Sequence, residues 1–315
     1  MTFLTAERLL RLAYHYPRLQ NTWFLVATAA LLELNLIEEL PVVLHFALRQ
    51  QLFEFCSDED KVVNNDYMIK LAKDSISSSQ QCIKLNSMGV RVPDILIPGT
   101  YYKLIPLNYK YTCGEDIKRK QHLIVKQMRE VMLKLSAFSG LPKAINGLST
   151  LKAATPALFA QEFSFRPYEV KIKQNDSDGV NTIDGPISTK SVDTTILKSN
   201  LLRGSTIWNT VFSNDINKRI KNQMIDAYPD LWYFTYQHIY SPLLSYTDIL
   251  TAKKTSLVIV ACLIVQDVEP QLKGHLKGAL NNGATKEEIS STQELVLELR
   301  LWREVSNVQE NVAKL

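Results

Sequence analysis

The chain has 315 residues, which at roughly 100–200 residues per domain favours about two domains. Hydrophobic residues make up 46% and charged residues 22%, a balance that excludes a disordered, collagen-like or low-complexity chain. Lys and Arg number 36 against 32 Asp and Glu, so the net charge is only +4. This charge gives no basic face for nucleic acid, and we expect no nucleic-acid partner.

Four cysteines are scattered along the chain, at Cys56, Cys82, Cys113 and Cys262. None of them forms a C-x-x-C pair, and no Cys/His spacing matches a zinc site. Scattered cysteines in a chain of this length indicate buried free thiols in a reducing compartment. We therefore expect neither a structural disulfide nor a metal, and no motif calls for a cofactor.

Two apolar stretches of the sequence are candidates for membrane spans. Trp23–Leu36 is interrupted by Glu33 and Asn35, and Leu257–Val265 is far shorter than the ~20 residues a spanning helix needs. Both are predicted to be buried core helices, and we expect no membrane span. The first residues also lack the pattern of a secretory signal.

Helical periodicity dominates the sequence and predicts an all-α fold. The segment from about Thr5 to Gln51 predicts two or three helices. Residues 92–113 contain three prolines, which predicts an irregular or extended stretch. The further predicted helices are Asp66–Ser77, Glu115–Ser139, Lys143–Ala154, Asp215–Tyr228, Leu231–Ser241, Lys254–Val265, Gln271–Asn281 and Lys286–Asn307.

A change in composition divides the chain. Residues 170–200 lose aromatic side chains and accumulate Gly, Asn, Asp, Ser and Thr, which is typical of a flexible linker. The predicted domains are therefore 1–169 and 201–312, and the last three residues are treated separately below.

One histidine lies on an apolar helical stripe. Leu272, His275, Leu276, Ala279 and Leu280 follow the spacing i, i+3, i+4, i+7, i+8, which puts the imidazole on the buried face. Such a histidine either bonds a neighbouring carbonyl as part of the core or lines a pocket as a general acid/base. Gly283 is predicted to end this helix, and Thr285 and Glu288 form a capping box for the next one.

The block from Val268 to Ile289 resembles the signature of the carboxymuconolactone decarboxylase (AhpD-like) family, H-x-x-x-A-L-N-x-G-A-[ST]-x-E-E-[IV]. A weaker copy in the first half includes Trp23–Leu32, His45–Leu48 and Leu135–Asn146, with an insertion near 50–114. The resemblance implies an all-helical fold, two tandem copies that form a pseudo-dimer, and a homo-oligomer.

The sequence departs from the family pattern at its reactive positions. Val268 and Gln271 stand where the redox branch has its two cysteines, so thiol peroxidase activity is not expected. Thr255 and Ser256 replace an Arg-Glu pair whose carboxylate is the proton acceptor. Ser256 is thus a weak catalytic candidate that could orient a histidine or water.

Cys262 lies in the apolar helix before His275 and has two interpretations. It is either a small buried hydrophobic side chain or the partner of His275 across two adjacent helices. His275 is the stronger candidate for chemistry. The resemblance implies a small-molecule enzyme of the decarboxylase type, with the substrate unknown. The alternative is a non-catalytic binding or assembly protein that keeps the fold and the oligomer.

The chain ends in Ala313-Lys314-Leu315, which differs from the peroxisomal Ser-Lys-Leu address only in its first, still small, residue. This tripeptide predicts the peroxisomal matrix and an import receptor as a partner. Together with the tandem arrangement, it resembles fungal peroxisomal members of the family.

Overall fold

The fold is all-α. The computed structural model describes residues 3–51, 66–94, 115–160, 166 and 193–305, and these residues form helices and loops without a strand. Cys56, Cys113, most of the predicted 170–200 linker and the terminal tripeptide lie outside the described residues.

The described residues form the following helices in chain order. They are α1 (Ala6–Tyr14), α2 (Trp23–Glu33), α3 (Leu40–Gln50), α4 (Asp66–Ser87), α5 (Glu115–Ser139), α6 (Leu141–Ala154), α7 (Ala157–Ala160), α8 (Thr194–Val211), α9 (Asn214–Ala227), α10 (Pro229–Phe234), α11 (Ala252–Gln266), α12 (Glu269–Asn281) and α13 (Lys286–Val305). Short 3₁₀ helices at Pro17–Leu19 and Ile37–Glu39 precede α2 and α3, and a π-helical segment spans Thr235–Leu244.

The prediction of a single helix over Leu231–Ser241 is wrong, because this region contains a short α-helix followed by a π-helical segment. Helix α10 begins at Pro229, a residue suited to the first turn of a helix. The following segment has wider π-helical turns, with Pro242 inside it. Proline has no N–H for a helical backbone bond. Beside it, Ser241 Oγ donates to the carbonyl of Tyr236 at 2.7 Å.

The chain forms two compact units. One unit contains Met1–Gln161 together with Thr247–Leu315, and the other contains Glu162–Tyr246. This grouping in space differs from the predicted division into 1–169 and 201–312, because α11 packs on α2 and α5 of the first half. Helix α8 begins at Thr194, within the range 170–200 that the sequence predicts as a linker.

Helices α2 and α11 form the centre of the first unit. Every residue from Trp23 to Leu32 is buried, and so is every residue from Thr255 to Ile264. A helix that is apolar on all sides must be surrounded by other helices to remove that surface from water. The two helices pack against each other. Both are buried core helices, as the sequence predicts.

The helices around this centre have matching contacts in the two halves. Helix α3 packs on α2, and α12 packs on α11. Helices α5 and α13 each pack on both central helices. These contacts of the first half thus have counterparts that involve the second half.

The second unit is built around α8 and the π-helical segment. Gly204 of α8 lies so close to Ser241 that a Cβ at this position would come within 2.6 Å of the Ser241 Cα. Trp208, Trp232 and Tyr240 pack beside this crossing with ring centroids 4.7–4.9 Å from Trp208. Trp208 and Tyr240 are buried, so these aromatic rings contribute to the core of this unit.

Candidate functional site

His275 occupies the buried face of α12. Its exposed fraction is 8%, with Leu272 and Ala279 buried on the same side. Leu280, which the spacing also placed on this stripe, is 41% exposed. The buried face therefore runs through Leu272, His275 and Ala279, which confirms the buried position predicted for the imidazole.

The surroundings of His275 favour its neutral form. Phe138 of α5 meets the imidazole edge-on, with ring centroids 5.9 Å apart and an interplanar angle of 83°. Burial lowers the pKa of His275 to about 4, because charging the ring would require removing a cation from water. Near neutral pH the ring can therefore accept a proton or donate a hydrogen bond, but it holds no dissociable acidic proton.

Ser256 lies at the start of α11 and contacts the end of α12. Its hydroxyl accepts a hydrogen bond of 2.9 Å from Asn282 Nδ2, and Asn282 follows His275 by seven residues, or about two helical turns. The contact ties the end of the histidine helix to the first turn of α11. Ser256 thus has a direct structural role, and its predicted catalytic role stays a prediction.

Thr255, beside Ser256 on α11, binds a lysine of the first half. The Lys134 Nζ donates to Thr255 Oγ1 at 2.9 Å, and the Thr255 hydroxyl donates in turn to the carbonyl of Leu250 at 3.3 Å. The Lys134 side chain is 0% exposed, and the Glu130 side chain, 3% exposed, lies 3.8 Å from its Nζ. A buried ion pair therefore lies between α5 and α11.

The ion pair belongs to a polar stripe that sequence analysis missed. Gln127, Glu130 and Lys134 follow i, i+3, i+7 on α5 and are all buried. Gln127 Nε2 donates to the carbonyl of Ile249 at 3.1 Å, and its Oε1 accepts from Lys254 Nζ at 3.4 Å. Their helical spacing in the sequence was the available signal.

Cys262 is surrounded by residues of the first half. Its Sγ lies 3.4 Å from Ser139 Oγ and 3.7 Å from Glu33 Oε2, and Lys143 Nζ donates to Glu33 Oε1 at 2.8 Å. Burial raises the pKa of the thiol to about 12, so it is not a thiolate at neutral pH. These polar contacts run to Ser139 and Glu33, whereas the sequence hypothesis pairs Cys262 with His275.

His45 marks the corresponding position in the first half. Its Nε2 lies 2.8 Å from the carbonyl of Ala154, and its Nδ1 lies 3.0 Å from Ser78 Oγ. A carbonyl can only accept, so Nε2 carries the proton and Nδ1 accepts from the serine hydroxyl. Both ring nitrogens are therefore used by the core, and burial lowers the pKa of His45 to about 4.

The positions of the missing redox cysteines contain no sulfur. Val268 is the residue immediately before α12, and Gln271 is exposed. The described cysteines, Cys82 and Cys262, are both free and buried. Thiol exchange requires two neighbouring sulfurs, and these positions cannot provide them.

Neither a metal-binding cluster nor a membrane-spanning helix is found in the described residues. Within residues 3–51, 66–94, 115–160, 166 and 193–305, no group of three or more His, Cys, Asp and Glu side chains could hold a metal ion. In the same part of the chain, no helix is both long and apolar enough to cross a bilayer.

One protein family matches a segment of the chain, and one relative matches nearly all of it. The Carboxymuconolactone decarboxylase family matches residues 235–305. Peroxisomal protein 2 of Saccharomyces cerevisiae is 33% identical over 314 residues, which cover 96% of this chain and 96% of that protein. Peroxisomal protein 2 of Schizosaccharomyces pombe is 31% identical over 176 residues, 56% of this chain and 70% of that protein. No solved structure matches the chain significantly.

Proposed function

Because the chain belongs to the carboxymuconolactone decarboxylase family, we propose that it is a small-molecule enzyme of the decarboxylase type with His275 as its acid/base residue. The single observation that carries the proposal is the buried imidazole on α12, at the family position, with an apolar ring beside it. The absence of sulfur at Val268 and Gln271 separates this activity from thiol peroxidase chemistry.

The neutral imidazole is suited to moving a proton. Decarboxylation breaks the bond between carbon and the carboxylate, releases carbon dioxide and leaves the electron pair on carbon, which must then be protonated. In the proposed step the substrate carboxylate, an anion beside the ring, favours the imidazolium, so that His275 takes up a proton from solvent when the substrate binds, passes it to that carbon and returns to its neutral form. A positioned proton carrier of this kind contributes about 10²–10⁴-fold to a rate.

The arrangement of helices supports a tandem pseudo-dimer. A two-fold interface pairs each contact with a reciprocal contact, so that element i meets j and j meets i. The contacts of α5 with α11 and of α13 with α2 have this reciprocal form, and α2 meets α11 at the centre. We propose that fusion of two copies placed one family dimer within one chain, and that a homo-oligomer forms from these fused units.

The protein is peroxisomal, as the names of both relatives state for them. We further propose that it resides in the matrix and that Ala313-Lys314-Leu315 binds the import receptor. Deleting the three residues should leave the protein outside peroxisomes, as followed by fluorescence microscopy. An Ala313→Ser variant, which restores the usual tripeptide, should be imported at least as well as the original.

A non-catalytic binding or assembly protein is the second candidate. The observation that favours it is the Ser256–Asn282 contact, because Ser256 stands in place of the family's proton acceptor and ties two helices together. Under this interpretation the family fold is kept for a protein partner, and His275 contributes to stability alone.

One experiment distinguishes the two candidates. Purified wild type and His275→Gln are incubated with a small-molecule extract of peroxisomes, and the compounds consumed are identified by mass spectrometry. The exposed residue His238 provides the matched control variant, His238→Gln. The enzyme requires a compound that wild type and the control consume and that His275→Gln leaves, with all three proteins equally folded by circular dichroism. Equal profiles for all three would favour the binding protein.

A further inference from the structure

Three apolar side chains form a row on the outer face of α13, which we call the α13 stripe. Leu297, Leu301 and Val305 follow i, i+4, i+8 and are 51%, 56% and 72% exposed. Leu295 and Leu299, on the opposite side of the same helix, are fully buried in the core. At 1.5 Å per residue the stripe is about 12 Å long. Contiguous apolar surface of this kind marks an interaction site, whereas single exposed apolar residues do not.

The end of α13 is held by N-terminal residues, so the stripe has a fixed position. The Arg8 guanidinium lies 5.0 Å from the ring centroid of Trp302, and its Nη1 donates to the carbonyl of Phe3 at 2.8 Å. One turn earlier on α13, Glu298 Oε2 accepts from the Tyr16 hydroxyl at 2.6 Å. A surface that is already ordered loses little conformational entropy when a partner binds it.

The stripe lies beside the point where the proposed targeting tail leaves the helix. Helix α13 ends at Val305, and Ala313 follows it by eight positions in the chain. At a maximum of about 3.6 Å per residue, Ala313 lies within about 29 Å of Val305, whatever the path of the chain between them. A receptor that holds the tripeptide is therefore kept close to the α13 stripe.

The tripeptide itself gives a reason for a second contact. Its first residue is Ala313, where the usual address has serine, so it offers a receptor one hydroxyl fewer. Two contacts on one chain reinforce each other, because formation of the first raises the effective concentration for the second. A weakened tripeptide can thus be supported by a surface of the folded chain.

We propose that the α13 stripe is a second docking surface for the import receptor that binds Ala313-Lys314-Leu315. The inference rests on the proposed targeting role of the tripeptide and adds to it a contact on the folded chain. The exposed residues Glu294 and Glu304 border the stripe. The receptor surface that fits it is therefore apolar with basic residues at its rim.

The test measures binding of the full chain to the purified receptor for Ser-Lys-Leu signals by isothermal titration calorimetry. The stripe variant is Leu297→Gln/Leu301→Gln, because glutamine keeps the helix propensity of leucine. We expect it to bind at least about tenfold more weakly than wild type, a loss of ~1.4 kcal/mol. The matched control is Leu141→Gln/Ile145→Gln, which changes two exposed apolar residues at the same i, i+4 spacing on α6 and should bind as wild type does.

Three results would overturn the proposal when circular dichroism shows all the proteins equally folded. The first is a stripe variant that binds as tightly as wild type, and the second is a control that loses as much affinity as the stripe variant. The third concerns a second copy as the occupant. A lower oligomer mass for the stripe variant alone, measured by sedimentation without receptor, would assign the stripe to contact between copies.

Deletion of residues 313–315 separates this proposal from the proposed targeting. The deletion should abolish measurable binding to the receptor. If the tripeptide is required and the stripe variant binds as wild type does, the stripe proposal alone is refuted. If the deletion leaves binding unchanged and the stripe variant weakens it, the targeting role of the tripeptide is refuted and the stripe remains as the receptor contact.

Discussion

His45 and His275 follow the two central helices at corresponding places, and both are buried. The ring of His45 joins three elements of the first half, because its nitrogens meet Ser78 on α4 and Ala154 at the end of α6. The described ring contact of His275 is with Phe138, and the charged pair Glu130–Lys134 lies one to two turns before that residue on α5.

The two buried histidines therefore contact different kinds of group: a hydroxyl and a carbonyl at His45, and an aromatic ring at His275. In the first half the histidine has become part of the core, with a hydrogen-bond partner for each nitrogen. In the second half the histidine faces an aromatic ring beyond a buried lysine that the first half supplies.

Acid should destabilise the protein through both histidines. Each has a pKa of about 4 when folded and 6.5 when unfolded, so the unfolded chain binds more protons below pH 6.5. Stability is therefore complete above pH 6.5 and falls toward pH 4, by about 3 kcal/mol for each histidine. Urea unfolding between pH 4 and pH 6.5 measures the slope of the free energy of unfolding against pH. His45→Gln and His275→Gln should each remove about half of it, and an unchanged slope in either variant would contradict this assignment.

His45→Ala should cost about 3 kcal/mol of folding free energy. The change leaves a cavity and removes one partner of the Ser78 hydroxyl and one partner of the Ala154 carbonyl. Equilibrium unfolding of the variant beside wild type measures the loss. The folded fraction of the variant should consume the substrate as fast as wild type does. A slower rate in variant protein that is fully folded would assign a role in the chemistry to the first half as well.

Cys262 should resist alkylation in the folded protein. Its thiol is buried with a pKa of about 12, so iodoacetamide should label it only after unfolding. Mass spectrometry of peptides before and after addition of urea checks this. Cys262→Ala should cost about 1–2 kcal/mol, because it removes a small buried side chain. Rapid labelling of the native protein would show instead that the site opens at this position.

Thr285→Ala should give the smallest effect, about 1 kcal/mol. The Thr285 hydroxyl accepts from the Glu288 amide at 3.1 Å, and the Glu288 carboxylate accepts from the Thr285 amide at 2.8 Å, so the change removes half of a capping box at the start of α13. Thermal unfolding measures it. Thr285→Ser keeps the hydroxyl and is the matched control, and equal losses for the two variants would exclude the cap as the cause.

Much of the local structure could be predicted from the sequence. The capping box of Thr285 and Glu288 formed as predicted, and Gly283 has the positive φ of 87° expected at the end of α12. Such features depend on residues close together in the chain, where side-chain chemistry and backbone sterics act directly. The buried position of His275 followed from helical periodicity for the same reason.

The sequence by itself determined the helices, the buried faces and the family, and it identified one imidazole on a buried stripe. Only the tertiary structure decided that Phe138 of α5 meets that imidazole and that Lys134 of α5 binds Thr255 of α11. Lys134 precedes Thr255 by 121 residues, and no periodicity relates residues on two helices that far apart. Their contact arises because α2 and α11 are apolar on every side and must be covered by α5 and α13 together. The same packing made His45 a structural residue, since its partners Ser78 and Ala154 come from two other helical regions.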